Sequence, residues 1–241
     1  MNRGLNKWPK LFPPLTQEQQ AISNDFMQHW HEVLSSRRQF GLIEKFNHGY
    51  GVKNAPEDFA TTLEIGAGLG EHLHHEHLTS HQKKNYVALE IRQNMADKIK
   101  ASFPEVQTIV ADCQKELPFA EGYFDRILAI HVLEHLPDLP AAVKEMHRLC
   151  NKECGSLSMV IPCEGGLAYS MARRISAQRI FEKRYQQPYQ WFIEREHVNQ
   201  PKEIFEELDK YFKIKHKAFF PFLIHNINLN LCIGSTLIPR I

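Results

Sequence analysis

No run of about 18 uninterrupted apolar residues occurs in the 241-residue sequence, so no membrane-spanning helix is expected. The apolar stretch 219–224 is too short to span and runs into His225, Asn226, Asn228 and Asn230. The first fourteen residues hold Lys and Pro but no continuous apolar core, and no secretory leader is expected from them. Cysteine is sparse. Cys113, Cys150, Cys154, Cys163 and Cys232 are odd in number and include no Cys-x-x-Cys pair, which argues against a disulfide framework or a zinc ribbon and points to a reducing, cytoplasmic setting. A charge excess of either sign is missing too. Lys plus Arg number 29 against 28 Asp plus Glu, so no general field draws the chain to nucleic acid or anionic membrane, and a charged partner must be recognised locally.

What is present is a 43% apolar chain long enough for one full α/β core. Thr16-Gln17-Glu18-Gln19 reads as a capping box, followed at helical spacing by Ile22, Phe26, Trp30 and Val33. A second helix is expected over 36–46, ending in the Gly-containing segment 47–53. Residues 1–60 thus form a helical cap, taken as part of the same domain as 61–241. From Thr61, short apolar runs at 62–65, 86–90, 108–111, 126–130 and 156–161 read as strands buried on both faces. Helical segments at 71–79, 93–102 and 139–150 separate them. Right-handed crossovers then give a doubly wound, mostly parallel sheet with five parallel strands. Beyond it come a basic helical stretch at 167–185, a loop at 186–199, a helix at 201–211, and strands near 213–220 and 228–237 that form an antiparallel edge. The stretch 164–199 is read as a helical insert.

The chemistry starts at Gly66, Gly68 and Gly70, after the first strand, where missing side chains let backbone N–H groups approach a ligand at a helix amino terminus. The dinucleotide fingerprint needs its third glycine at position 71, which is Glu71, so a nicotinamide enzyme is disfavoured. Glu64, Glu90 and Asp112 end successive strands on the edge where open parallel sheets bind ligands. Glu90 suits ribose hydroxyls, and Asp112 an adenine amino group.

Leu63-Glu64-Ile65-Gly66-Ala67-Gly68-Leu69-Gly70, Leu89-Glu90, Ala111-Asp112, Phe124-Asp125-Arg126-Ile127 and His131-Val132-Leu133-Glu134-His135-Leu136-Pro137-Asp138 together resemble the class I S-adenosylmethionine-dependent methyltransferases, and within them the type 11, small-molecule branch. The resemblance covers 61–158, and the part from Pro201 more loosely. It implies a Rossmann-like sheet with an antiparallel last strand, and S-adenosylmethionine as cofactor with S-adenosylhomocysteine as product. Gly66, Ala67 and Gly68 would face the methionine end, with Glu64 and Gly70 in the same loop. Glu90 and Ile91 would meet the ribose, Asp112 and Cys113 the adenine, and Ile130 and His131 the sulfonium.

Methyl transfer mainly requires alignment, with a base only where the acceptor holds its proton. His131, His135 and His197 are the candidate bases, because imidazole titrates near neutral pH. His72, His74, His75, His77 and His81 read as a solvated, His-rich helix, since Thr79 stands where a zinc-protease helix needs its second His. No metal site is expected. Cys163 follows Pro162 as in some pyrimidine methyltransferases, but the partner Pro-Cys is replaced by His131-Val132-Leu133, so a small buried cysteine is expected. Gln187-Pro188-Tyr189 lies far from the fourth strand, which argues against exocyclic-amine chemistry on nucleobases. The basic set Arg173, Arg174, Arg179, Lys183 and Arg184 could hold an anionic group on a small-molecule acceptor or form a solvated face. Tyr169, Tyr185, Tyr189, Trp191 and Phe192 could line an apolar acceptor pocket or join cap to sheet. A cofactor-binding module without catalysis and an enzyme acting on transfer RNA or another macromolecule stand as alternatives. Oligomeric state is not legible.

Overall fold

The computed structural model describes residues 7–36 and 41–241. Residues 37–40, inside the expected start of the second helix, and the Val33 side chain lie outside the described part. Helix α1 (Gln17–Ser36) opens on the expected capping box: Gln19 N–H donates to Thr16 Oγ1 and Thr16 N–H to Gln19 Oε1, both at 3.1 Å.

Helix α2 (Gly41–Lys53) runs through 47–53 instead of ending there. Of the two glycines in that segment, Gly51 marks a close approach rather than a break. A Cβ on Gly51 would meet the Leu128 side chain at 3.1 Å, so the bare backbone lets α2 lie on the sheet.

Among the described residues the sheet has seven strands: β1 (Thr62–Ile65), β2 (Tyr86–Glu90), β3 (Gln107–Val110), β4 (Arg126–Ile130), β5 (Ser156–Pro162), β6 (Phe212–Phe220) and β7 (Cys232–Pro239). Their order is β3-β2-β1-β4-β5-β7-β6; the first five are parallel, and β7 runs antiparallel to both neighbours. β1, β2, β4 and β5 are buried on both faces almost throughout, as expected of parallel strands under helices. β3 departs from that expectation: it is the edge, and its side chains are exposed or half-buried.

The crossover after β1 also differs from the continuous helix expected over 71–79. It is a 3₁₀ turn (His72–His75) followed by the short helix α3 (Ser80–Lys84). Thr79 is the reason: with Gln82 it makes a capping box that starts a new helix at Ser80. Helices α4 (Gln93–Ser102) and α5 (Leu139–Leu149) complete the crossovers; Asp138 caps α5 by accepting the Ala141 N–H at 3.2 Å. Leu63, Ile65, Ile127, Ala129, Leu157 and Met159 pack with α5 side chains such as Val143 and Met146 in the main core.

The carboxyl-terminal half starts with a continuous helical run of α6 (Leu167–Arg173), a π turn (Arg174–Gln178) and α7 (Arg179–Tyr185). The stretch expected as a loop holds α8 (Gln190–Glu196), stabilised by tertiary packing that local sequence does not report. Phe192 and Tyr189 lie buried against Phe26 of α1 and Phe181 of α7 in a separate aromatic core, with the Phe26 and Phe181 rings 5.0 Å apart, edge to face. These aromatics therefore join cap to insert. Helix α9 (Pro201–Leu208) ends three residues earlier than expected, and β7 begins four residues later. The delay has a cause in Asn230, whose amide donates to the Ile224 and Asn226 carbonyls and whose oxygen accepts the Phe222 N–H, fixing 222–230 as a turn. Among the described residues, no helix is long and apolar enough to cross a membrane.

Candidate functional site

The carboxyl ends of the parallel strands converge on the loop after β1. Gly66, Gly68 and Gly70 all have positive φ (67°, 59° and 85°). At Gly66 a Cβ would stand 2.5 Å from Val132 Cγ2, so the turn requires glycine both for its backbone and for its space. Ala67 is buried and donates its N–H to the Leu89 carbonyl at 3.0 Å.

Glu90 is 2% exposed and organises this edge. Its Oε2 accepts the Gly68 N–H at 3.0 Å, and its Oε1 accepts the backbone N–H and Nε–H of Arg92 at 3.0 and 3.2 Å. Ile91 beside it is exposed. Asp112 is half-buried, and its Oδ1 accepts both the N–H and the side-chain amide of Gln114 at 3.0 Å. Gln114 in turn accepts the Asp138 N–H at 2.7 Å, which ties the β3 end to the β4 side of the cleft. Cys113 is buried, and desolvation pushes its thiol up to about 12, so it stays protonated.

Glu64 takes a different setting from the one expected of a cleft acid. It is buried and accepts the Tyr86 O–H at 2.8 Å. Burial pushes its pKa up to about 8, with Glu76 and Glu71 adding to the effect and Tyr86 and Arg126 opposing it.

His131 follows β4 with φ +53°, and its N–H donates to the Val160 carbonyl at 2.8 Å. Its Nδ1 lies 3.1 Å from Glu134 Oε1. Burial disfavours the imidazolium, yet Cys232 and Glu134 outweigh it and raise the His131 pKa. Ile130 beside it is half-buried. His135 Nδ1 contacts the Glu196 carbonyl at 2.5 Å, and His197 Nδ1 contacts Glu164 Oε2 at 2.7 Å, while Glu164 is paired with Arg173. The His135 and His197 rings meet edge to face at 5.1 Å. The three imidazoles proposed from sequence thus gather around Glu134, although 62 positions separate His197 from His135. Asn199 holds the arrangement: its side-chain amide donates to the Leu133 and Leu136 carbonyls at 2.7 Å, and its N–H to the Glu134 carbonyl at 3.0 Å.

Sequence reasoning gave no role to Val132, Glu134, Glu164 or Asn199. Glu134 had a usable signal, since His131, Glu134 and His135 fall at i, i+3 and i+4; Glu164 and Asn199 had none, because their partners are distant in sequence. The His-rich stretch is not one helix, and His72 departs from the solvated setting that its other histidines, the exposed His74, His75, His77 and His81, do have. His72 is buried, and its Nε2 shares Glu76 Oε1 with Arg126 Nη2, each at 2.6 Å. Cys163 is buried, and desolvation pushes its thiol up to about 12, which agrees with a packing role. Two of the five basic residues of the stretch 167–185 are committed within the chain, Arg173 to Glu164 and Arg184 to Asp25.

Residues 63–156 match the methyltransferase domain family. Over 118 residues the chain is 28% identical to N-methyltransferase 4 of Papaver somniferum, an alignment covering 44% of this chain and 31% of that protein; the chain thus spans under a third of this relative. In fold it is similar to the N-methyltransferase NodS from Bradyrhizobium japonicum in complex with S-adenosylhomocysteine (TM-score 0.62, 13% identity, 92% of this chain and 98% of that one). It is also similar to a TehB-like S-adenosylmethionine-dependent methyltransferase from Corynebacterium glutamicum (TM-score 0.57, 15% identity, 92% and 100% covered).

Proposed function

We propose that the chain, whose residues 63–156 match the methyltransferase domain family, binds S-adenosylmethionine and transfers its methyl group to a small-molecule acceptor. The observation that carries this reading is the Gly68 N–H on Glu90 Oε2, which fixes a glycine-rich turn beside a buried carboxylate at adjoining strand ends. A turn built on three glycines of positive φ lets a ligand approach the backbone closely, which suits the methionine portion of the cofactor, and a buried, hydrogen-bonded acid suits its ribose. When bound, S-adenosylmethionine supplies a methyl group on a cationic sulfonium.

Gly66, Ala67, Gly68 and Gly70 shape the methionine end, with Glu64 behind the loop. Glu90 and Ile91 take the ribose, Asp112 and Cys113 the adenine, and Ile130 and His131 wall the reacting end. Fixed in this way, the residues act mainly by alignment, which supplies much of the acceleration of an in-line displacement. His131, His135 and His197 line the acceptor side, where they orient the acceptor or receive its proton. The cap and insert belong to the same domain as the sheet. A nitrogen acceptor accords with the names of the Papaver and Bradyrhizobium proteins. The balanced charge accords with a partner other than nucleic acid, and the unpaired cysteines with the cytoplasm. The test is isothermal titration with S-adenosylmethionine and S-adenosylhomocysteine, followed by transfer of labelled methyl to a panel of amines, phenols and carboxylic acids. Saturable binding with transfer supports the reading; no binding of either nucleoside overturns it.

A further inference from the structure

We propose that Glu134, His135 and His197 form a site for one divalent transition-metal ion on the acceptor side of β4. One oxygen of Glu134 and one ring nitrogen from each histidine lie within 4.8 Å of one another, so small movements bring all three to the distances of about 2.0–2.2 Å that zinc takes from nitrogen and oxygen.

A second observation points to a cation independently. Glu134 is 1% exposed, and its Oε2 has no hydrogen-bond partner. A buried carboxylate oxygen without a donor is costly, and a bound cation removes that cost.

The tautomers agree with this. The Glu196 carbonyl can only accept, so the hydrogen of His135 is on Nδ1 and the lone pair is on Nε2, 3.9 Å from Glu134 Oε1. His197 presents Nδ1 to Glu164, which Arg173 holds in place, and so likewise leaves Nε2 free. An oxygen acceptor behind each imidazole is the arrangement that orients metal-binding histidines and raises their basicity.

Two imidazoles and one carboxylate favour zinc, cobalt, manganese or iron over magnesium or calcium. Three protein ligands also leave positions for an exogenous one. His135 has 35% of its side chain exposed, and His197 lines a surface hollow with Lys10, Val198 and Gln200, so an ion has a path in. An acceptor oxygen or nitrogen on the ion would give up its proton more readily. That consequence rests on the methyl-transfer reading; metal binding does not.

The test uses the full chain freed of metal with a chelator, titrated with Co²⁺ by absorption spectroscopy and with Zn²⁺ by calorimetry. One ion per chain and visible cobalt bands are expected. His135→Ala and His197→Ala should each weaken binding by at least about tenfold, and Glu164→Gln by about 10–100-fold with the ligands intact. His77→Ala, on the exposed part of the His-rich stretch, should change nothing. No stoichiometric binding, or binding insensitive to His135→Ala and His197→Ala, overturns the proposal. If either variant loses its native circular dichroism, Glu164→Gln decides: unchanged affinity overturns the site. Metal binding without binding of S-adenosylmethionine or S-adenosylhomocysteine would refute the function while leaving the site standing, and methyl transfer without metal binding would do the reverse.

Discussion

Glu90 Oε2 accepts the N–H of Gly68 at 3.0 Å, joining the end of the second strand to the glycine turn that follows the first. The two features that a cofactor would span are therefore held in one register before any ligand arrives. Glu90→Gln keeps an acceptor for Gly68 but loses the charge that strengthens its bonds to Arg92 and to a ribose. It should bind the cofactor more weakly than wild type and more tightly than Glu90→Ala, in that order by calorimetry.

Gly66→Ala puts a Cβ against Val132 in a backbone conformation that costs an alanine about 1–2 kcal/mol by itself. Urea denaturation should show a larger loss than that. Adding Val132→Ala should recover the part owed to the clash, giving a coupling term of about 0.5–3 kcal/mol in a double-mutant cycle. Strict additivity would show that the two residues do not meet.

Arg126 is fully buried, and its Nη2 is held by Glu76, which also accepts from His72. Glu76→Gln leaves a buried guanidinium without its counter-charge. A loss of about 3–5 kcal/mol is expected, read as a lower urea midpoint with unchanged slope. A loss below about 0.5 kcal/mol, the range of ordinary surface changes, would contradict this account of the network.

Glu64 gives stability a pH dependence. Its folded pKa, raised to about 8 from 4.5 by burial, means that the folded chain holds a proton which the unfolded chain releases. Its contribution is full below about 4.5 and is lost as pH rises towards 8, with a slope of at most about 1.4 kcal/mol per pH unit. Tyr86, Glu76, Glu71 and Arg126 face it and set the size of the effect. Relative to Glu64→Gln, wild type should lose stability between pH 5 and 8; a constant difference across that range would refute the shift.

The sheet was legible because its parallel strands are short, mostly apolar runs bounded by turns, and β1, β2 and β4 fall where their residues place them. The glycine turn, Glu90 and Asp112 were legible for the same reason: each closes such a run. What was not legible depends on distant partners. α8 is held by Phe26 and Phe181, which no local period records. The His-rich stretch looks solvated until Arg126 and Glu76 are seen to draw His72 inward. His197 reads as an isolated histidine until the fold brings it to Glu134 and His135.

The central claim is that the glycine turn and Glu90 hold S-adenosylmethionine. Calorimetric titration of wild type and Glu90→Ala with S-adenosylhomocysteine tests it most directly. One-to-one binding by wild type, weakened more than tenfold by the substitution because at least one charge-assisted hydrogen bond of about 1.5–3 kcal/mol is lost, is the expected result. Equal affinity of the two proteins, or no binding by wild type, would contradict it.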